Sequence, residues 1–392
     1  MKTNTIFKEM AKTLTAFLCA AMILLVGFGV SAGAETGGLL DADEMFTSRD
    51  LTQTADLSGA TSFDVSGGSD IRVTKEGVYV LTGEATNVTV YVEAASDAKV
   101  QLVLDGVTIA NDSLPCICVL SAGKVFVTTS ADSALSVTGS FQAGGNTGLD
   151  GVIFSRADLT LNGTAALTVS SSANGVVGKD DVKITGGSYV ITAVSKAVEA
   201  NDSIRIAGGT LTLTAGTDGL HAENDDDDAL GYVYIGGGSL TIFARDDGIH
   251  AKSVAQIDDG LINIIAAEGI EATYIQINGG EIGIQASDDG INAAQKSGAY
   301  RATAEINGGS IAIAMGSGDT DGIDSNGDIY VNGGAISVTG SSTFDYDGTA
   351  QYNGGTIIVN GQQINYIPNQ MMGGMGGMGG MGGMNGMGGR RK

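Results

Sequence analysis

The sequence has almost no proline, no tryptophan and few basic residues. Its 392 residues include two prolines and 62 glycines. Two prolines rule out collagen, which combines a three-residue glycine period with abundant proline. The glycines argue against a helical domain, since each glycine inside a helix costs about 1 kcal/mol relative to alanine. The hydrophobic content of 43% is ample for a core, so the composition predicts a glycine-punctuated all-β chain rather than disorder.

Basic residues are scarce, and several of them lie at the two ends. The chain holds 20 Lys and Arg against 44 Asp and Glu. Without residues 1–34 and the last three residues, 14 basic and 43 acidic residues remain, a net charge of −29. Such a body repels phosphates, which excludes nucleic acid as a partner, and it attracts cations. The basic end, Arg390, Arg391 and Lys392, is a candidate contact to an anionic envelope polymer, with an inert tail as the alternative.

Only three cysteines are present, and one of them, Cys19, lies in the leader described below. Cys116 and Cys118 are two residues apart, so on a strand they would point to the same face, and a disulfide between them would be strained. Their apolar flanks predict that both are small buried hydrophobic residues, with metal binding or redox chemistry as the alternative.

The N-terminus has the features of an export signal. Lys2, Lys8 and Lys12 precede an apolar run over residues 16–30, and Ala32-Gly33-Ala34 supplies small residues for cleavage. The run is shorter than the roughly 20 residues that a membrane-spanning helix needs, which disfavours an uncleaved anchor. Residues 1–34 are therefore interpreted as a signal peptide cleaved near Ala34, and the mature chain as secreted or associated with the cell surface.

One pattern recurs from residue 182 onward: two apolar residues spaced by two, a glycine turn, and two more apolar residues spaced by two. Alternation over short segments predicts half-buried strands, and units of 20–29 residues must stack on one another to bury their apolar faces. The pattern predicts a parallel β-helix over residues 70–365, after a cap or linker at 35–69 and before a disordered Met-Gly tail at 366–392. The second glycine of each turn falls at Gly187, Gly209, Gly238, Gly260, Gly280, Gly309, Gly334 and Gly355.

A second motif, Asp-Gly-Ile or a close variant, recurs between the glycine turns. Stacking aligns its acids in one column, and two further loops add carboxylate and amide oxygens, which are the ligands that Ca²⁺ prefers. The alternative is a solvated acidic face. We predict calcium ligands among Asp218, Glu223, Asn224, Asp225, Asp226, Asp247, Glu268, Asp289, Asp319, Asp321, Asp324, Asn326 and Asp328. His221 and His250 share a register in adjacent repeats, an arrangement that favours a structural role over a Zn²⁺ site.

The strands before the glycine turns carry cations, amides and tyrosines at their outward positions. Sugars are held by hydrogen bonds and aromatic faces, so this side of the β-helix is a candidate glycan platform, with an ordinary polar exterior as the alternative. The candidate carbohydrate-binding residues are Lys183, Arg205, Tyr234, Gln256, Gln276 and Tyr330.

Several segments resemble the bacterial carbohydrate-binding domain family. They are Ala267–Ala272, Ile277–Gly280, Ala286–Ala293, Lys179–Gly187 and Asp218–Ala222. The resemblance covers most of residues 70–360. It implies a single-stranded right-handed parallel β-helix that binds cellulose or acidic sugars such as polygalacturonate without cleaving them, with calcium at the Asp-Gly-Ile turns. We expect the protein to act as a monomer with polysaccharide as its partner.

Two alternative functions stay open from the sequence. Parallel β-helices include pectate lyases and polygalacturonases, and Arg245–Gly248 and Thr320–Ile323 superficially resemble polygalacturonase motifs. A hydrolase needs one positioned acid–base pair, whereas here the motif recurs along the chain, as expected of a structural repeat. The other alternative is a structural or adhesive solenoid of the cell envelope.

Overall fold

The computed structural model describes residues 39–142, 148–317 and 320–369, and almost all of their regular structure is β. Two short 3₁₀ turns, Ala42–Glu44 and Val65–Gly67, are the helical elements within these ranges. No helix in the described residues is long and apolar enough to cross a membrane. The predicted signal peptide, Asp319 and nearly all of the Met-Gly tail, including Arg390, Arg391 and Lys392, lie outside the described residues.

The strands stack into three parallel columns that wind around one apolar core, and the fold is a parallel β-helix. Sheet 1 contains the strands that precede the glycine turns: Thr61–Asp64, Gly77–Thr82, Lys99–Asp105, Lys124–Ala131, Asp158–Gly163, Asp181–Ile184, Ser203–Ile206, Tyr232–Ile235, the second halves of Asp247–Ile257 and Glu268–Ile277, Thr303–Ile306, Asp328–Val331 and Ala350–Tyr352.

Sheet 2 contains the strands that follow these turns: Glu84–Thr86, Thr108–Asn111, Ser133–Val137, Ala166–Ser171, Ser188–Ala193, Thr210–Ala215, Ser239–Phe243, Leu261–Ala266, Glu281–Ala286, Ser310–Met315, Ala335–Thr339 and Thr356–Val359. Sheet 3 contains Ile71–Val73, Val90–Glu93, Ile117–Ser121, Gly151–Ser155, Asn174–Gly178, Val198–Ala200, Leu220–Ala222, the first halves of Asp247–Ile257 and Glu268–Ile277, Ile291–Ala293, Ile323–Ser325 and Phe344–Tyr346.

The glycine turns between sheets 1 and 2 have the predicted conformation. The second glycine of every turn has a positive φ, for example 100° at Gly238, which a side-chain-bearing residue rarely adopts. The alternating apolar residues on either side of the turn, such as Ile235 and Leu240, are completely buried. Each turn therefore places two strands at a corner with their apolar side chains directed into the shared core.

The β-helix begins before the predicted range of 70–365, and its apolar core extends two residues past that range. Its first strand, Thr61–Asp64, pairs in parallel with Gly77–Thr82. At the other end, Gln362–Ile364 turns back and pairs antiparallel with Thr356–Val359. Ile367, which lies beyond the predicted boundary, is 9% exposed and joins the core. The ends therefore use part of the segments that were interpreted as linker and tail.

The two cysteines are buried and unpaired, as predicted, but they do not share a face. Cys116 precedes the strand Ile117–Ser121 and packs in the central core, whereas Cys118 points outward from sheet 3 and packs against Phe154. Burial raises the pKa of Cys116 to about 12 and that of Cys118 to about 11. The same-face prediction was wrong because Cys116 lies before the strand, where strand alternation does not apply.

Candidate functional site

An N-terminal strap, residues 39–56, lies across the outer face of sheet 1. Its anchor is Asp50, whose carboxylate is fully buried. Oδ1 of Asp50 lies 2.6 Å from Nζ of Lys124 and accepts a hydrogen bond of 2.9 Å from Thr160. Burial alone would raise the pKa of Asp50, but hydrogen bonds from Lys124 and Thr47 hold it well below its usual range. The strap is therefore held by a buried charge pair.

The strap covers most of the predicted glycan platform. Lys183, Arg205, Tyr234, Gln256 and Gln276 do form one outward column, since their strands pair in that register. The prediction that this column is exposed was wrong, because four of the five are buried and Arg205 is half-buried.

The covered side chains bind the strap instead of solvent. The oxygen of Gln256 accepts a hydrogen bond of 2.6 Å from the backbone of Leu40, and that of Gln276 accepts one of 2.7 Å from Leu39. Phe46 packs on Tyr234 with ring centroids 6.1 Å apart. Tyr330 lies further along the column and is half-buried, with its hydroxyl 3.4 Å from Asp328. Sequence patterning identified the outward positions, but it did not indicate what packs on them.

The acids of the Asp-Gly-Ile motifs stack in one column at the edge of sheet 3, as predicted. The backbone N–H of Asp247 donates to the Asp218 carboxylate at 3.2 Å, and that of Asp321 donates to Asp289 at 3.0 Å. Asp247 is also paired in register with Glu268. The column consists of Asp218, Asp247, Glu268, Asp289 and Asp321.

The glycine of the motif is required by close contact between successive rungs of the β-helix. A Cβ atom on Gly248 would lie 2.3 Å from a methyl carbon of Ile264 and 2.6 Å from the carbonyl oxygen of Gly269. The following isoleucine, Ile249, is completely buried. Glycine and isoleucine therefore recur for packing reasons, and the acid is the residue of the motif that points away from the core, although Asp218 and Asp247 are themselves buried.

A second polar column lies three residues after the acids, on the outward positions of the sheet 3 strands. We call it the polar strip, and its members occupy one strand register: Glu199, His221, His250, Glu271, Asn292, Asp324 and Asp345. The sequence analysis missed Glu199, Glu271, Asn292 and Asp345. The three-residue offset was visible in the sequence, since Asp218 precedes His221 and Asp247 precedes His250 by three positions.

The centre of the polar strip is a stack of two imidazoles flanked by carboxylates. The rings of His221 and His250 lie 4.4 Å apart at 15°. Nδ1 of His250 lies 2.6 Å from Asp247 and 2.9 Å from Glu271. Burial alone would lower the pKa of His250, but hydrogen bonds to these two carboxylates raise it to about 9. His250 is therefore a cation near neutral pH, which offsets the buried negative charge around it.

Lysines supply further positive charge along the strip. Lys296 reaches Glu271 at 3.0 Å, and Lys179 and Lys196 reach Glu199 at 3.1 and 3.7 Å. Burial would raise the pKa of Glu271, but His250 and Lys296 lower it to about 2. Lys179 and Lys296 lie in loops outside the repeat, whereas Lys196 occupies the position of the motif acid in its rung. The sequence analysis selected acids at that position, which is why it did not select Lys196.

The C-terminal end of the strip contains crowded carboxylates. Burial, with Asp289, Asp321 and Asp345 as like-charged neighbours, raises the pKa of Asp324 to about 7. Burial also raises the pKa of Asp289 to about 6, although the backbone N–H of Asp321 partly opposes the shift. Among the oxygens predicted to bind calcium, this end therefore has the strongest tendency to bind a cation or a proton.

The predicted ligands in the loop at 223–228 have different environments. Oδ1 of Asn224 accepts hydrogen bonds from the backbone of Asp226 and Asp227 at 2.9 and 2.8 Å, so this side chain shapes the loop. Asp225 and Asp226 are exposed. Glu223 is close to the strip, with its Oε2 at 3.2 Å from Nε2 of His221.

The predicted calcium ligands at 321–328 are distributed over sheets 3 and 1. Asp321 and Asp324 belong to the acid column and the polar strip. Asp328 lies instead in sheet 1, where it pairs with Arg301 at 2.9 Å and accepts hydrogen bonds from Thr349. Asn326 is exposed between them. These residues therefore do not surround one shared ion position, because the chain turns a corner of the β-helix after Ser325.

The first half of the same outer face is apolar. Tyr91, Cys118, Phe154 and Val177 hold the corresponding register and pack with Leu149. The polar strip therefore begins at Glu199. In the first rung of the same register, Arg72 lies over the Tyr91 ring and pairs with Glu93 at 2.9 Å.

Comparisons with known proteins agree with the resemblance seen in the sequence. A family model described as "Carbohydrate-binding domain-containing protein" matches residues 67–320, more than half of the chain. A protein of the same description from Acetivibrio thermocellus is 30% identical over 129 residues, which are 32% of this chain and 45% of that protein. The chain thus matches less than half the length of this relative.

A solved structure also matches. It is titled a polysaccharide lyase-like protein from C. thermocellum, in a gadolinium derivative, and is 23% identical with a TM-score of 0.43. The match covers 76% of this chain and 96% of the solved one.

Proposed function

This chain belongs to the family of carbohydrate-binding domain-containing proteins, and from that premise we propose that it binds polysaccharide on the polar strip of sheet 3 without cleaving it. The observation that carries the proposal is the strip itself, a row of hydrogen-bonding side chains in one register. Its central members His221, His250 and Glu271 are buried, so the half-buried members are the ones available to a ligand: Glu199, Asn292, Asp324 and Asp345. A linear glycan presents hydroxyl groups at regular intervals, and an extended row of carboxylates, amides and lysines suits such a ligand. The sheet 1 column does not compete for this role, because the strap covers most of it.

Calcium is proposed at the C-terminal end of the strip. Asp289, Asp321 and Asp324 fit the ion, because the pKa of Asp324 is raised to about 7 by burial and by neighbouring carboxylates. Bound Ca²⁺ would supply the positive charge that these oxygens lack. The centre of the strip fits calcium less well, since His250 and Lys296 already neutralise Asp247 and Glu271.

An acidic glycan such as polygalacturonate is our proposed ligand class, with cellulose as the uncharged alternative. A body of charge −29 repels a polyanion, so its binding requires local positive charge. Lys179, Lys196 and Lys296 lie along the strip, and calcium between Asp289 and Asp324 would extend this positive charge.

We further propose that the chain is exported through its N-terminal signal and acts outside the cell as a monomer.

The proposal is tested by retention of the protein on polygalacturonate gel and on insoluble cellulose, with Ca²⁺ and with chelator, while released sugar is measured. We expect retention on polygalacturonate in Ca²⁺, loss of retention in chelator, and no release of sugar. The double substitution Asp289→Asn and Asp324→Asn should abolish the calcium dependence, and the exposed control Asp97→Asn should bind like the natural protein.

Three outcomes contradict the proposal in different ways. Equal retention on polygalacturonate in Ca²⁺ and in chelator would contradict the proposed role of calcium in binding. Release of unsaturated or reducing sugar identifies an enzyme, with Asp247, His250 and Glu271 as the first residues to substitute, since the two carboxylates bracket one imidazole. Failure to bind any glycan favours a structural role in the cell envelope.

A further inference from the structure

A mixed nitrogen and oxygen site lies at the edge of the polar strip, and neither the proposed glycan nor calcium accounts for it. One potential ligand atom each from His221, Glu223 and His250 lies within 4.8 Å of the other two. We propose that these three side chains bind one divalent transition-metal ion of the zinc class.

The orientation of the two imidazoles supports metal binding through their outer nitrogens. Nδ1 of His221 faces Asp218 at 2.9 Å, and Nδ1 of His250 faces Asp247 at 2.6 Å. Since Nδ1 of each ring faces the acid column, the Nε2 atoms are directed away from that column. Nδ1 of His250 is hydrogen-bonded to Asp247 at 2.6 Å, so an ion at Nε2 would displace the second proton of this imidazolium and leave the Nδ1 proton in place. A carboxylate on the Nδ1 side of a ligating histidine is typical of histidine metal sites.

The third ligand comes from the loop that follows His221. Oε2 of Glu223 lies 3.2 Å from Nε2 of His221, and a ligand atom of His250 lies within 4.8 Å of both residues' ligand atoms. Asn224 holds the start of this loop through its bonds to the backbone of Asp226 and Asp227, and Nζ of Lys252 donates to the carbonyl oxygen of Asn224 at 2.5 Å. The Glu223 side chain is 47% exposed, so it can rotate to close a metal site.

The donor set distinguishes this ion from calcium. Two imidazoles and one carboxylate match the ligands of zinc, whereas calcium takes six to eight oxygens. Both histidines are more than nine-tenths buried and Glu223 faces solvent. Three protein ligands with one open side leave a coordination position for water or for an oxygen of a bound molecule. The site therefore resembles an open zinc site rather than a closed structural one.

The test is a titration of the full chain, freed of metal by chelator and dialysis, with Zn²⁺ by calorimetry and with Co²⁺ by visible absorption. We expect one equivalent to bind. Because Glu223 is a proposed ligand, Glu223→Gln should weaken binding at least tenfold, and His250→Gln should abolish the Co²⁺ spectrum. The neighbouring exposed acid gives the matched control, Asp225→Asn, which should bind like the natural protein. Circular dichroism of each variant verifies that the β-helix is folded.

Three results would overturn the assignment. They are the absence of a one-equivalent Zn²⁺ isotherm, an equal loss in Asp225→Asn and Glu223→Gln, and displacement of Zn²⁺ by millimolar Ca²⁺, which would indicate a site of carboxylates alone. Retention on polygalacturonate is measured separately, so failure of zinc binding and failure of glycan binding are distinguishable.

Discussion

The outer faces of sheet 1 and sheet 3 carry similar polar columns in very different surroundings. On sheet 1, Lys183 and Gln256 lie beneath the strap and satisfy its backbone and its buried Asp50. On sheet 3, Glu271 pairs with both His250 and Lys296. The sheet 1 column therefore joins the strap to the β-helix. The residues of the polar strip pair mainly with one another and with charged residues of the neighbouring loops.

This comparison shows that an outward position in a β-helix does not by itself indicate a binding surface. The polar residues of sheet 1 are used for folding, because burying an amide or a charge is tolerated only where a partner satisfies it. The residues of sheet 3 concentrate charges whose pKa values are shifted in opposite directions, as at Glu271 and Asp324. Such shifts in a cluster are typical of functional sites.

The largest effect is expected where the strap is anchored. Asp50→Asn removes the charge that neutralises Lys124 and leaves Lys183 without its partner at 3.8 Å. Breaking a buried ion pair from one side costs about 3–5 kcal/mol. We expect the free energy of unfolding in urea to fall by that amount and trypsin to cut faster after Arg49.

The exposed residue Asp56 provides the control for this prediction. Asp56→Asn changes the same charge in the same segment without touching Lys124 or Lys183, and should leave stability and proteolysis unchanged. Equal proteolysis of the two variants would mean that Asp50 does not hold the strap.

An intermediate effect is expected from the packing that supports the polar strip. Gly248→Ala forces a methyl group against Ile264 and the carbonyl oxygen of Gly269. Overpacking of this kind costs about 1–3 kcal/mol, which urea unfolding would measure. Gly67→Ala is the matched control, since no atom lies within 4 Å of the added carbon. Equal stability of the two variants would show that the motif glycine is not needed for packing.

The smallest effect concerns pH and Asp324. Its pKa of about 7 in the folded protein lies above the value in an unfolded chain. The folded state therefore keeps a proton that the unfolded state loses, and stability falls as pH rises from about 4 to 7. Asp324→Asn lacks this fall. The two units between pH 5 and the pKa correspond to about 2.7 kcal/mol for a fully buried group. Because Asp324 is only half-buried, solvent screening reduces the gain expected of the variant between pH 5 and pH 8 without calcium to about 1 kcal/mol.

Thermal melts at pH 5 and pH 8, with and without Ca²⁺, measure this difference. Calcium at pH 8 should stabilise the natural protein more than Asp324→Asn, which reverses their order. Asp97→Asn serves as a control with an exposed carboxylate. A stability difference that does not change with pH would contradict the proposed crowding of Asp324 with Asp289 and Asp345.

Much of the fold was predictable, because the same short sequence pattern recurs and each copy indicates one rung of the β-helix. The glycine spacing and the alternating apolar residues around turns such as the one at Gly238 indicate the rungs, and stacking follows from burial of those residues. The acid column was predictable for the same reason. The polar strip was only partly found, since Glu271 and Asn292 stand three residues after an acid and differ in residue type from His221 and His250.

The strap, by contrast, depends on contacts between distant residues. Asp50 meets Thr160 and Lys183 more than 100 positions away in the sequence, and no repeat or motif marks that pairing. The sequence by itself determined the parallel β-helix, its glycine corners and the stacking of the acids, because each follows from spacing within a rung and from identical neighbours. Only the tertiary structure decided which outward column is covered and which residues surround each charge, because burial and electrostatics depend on segments that meet only after folding.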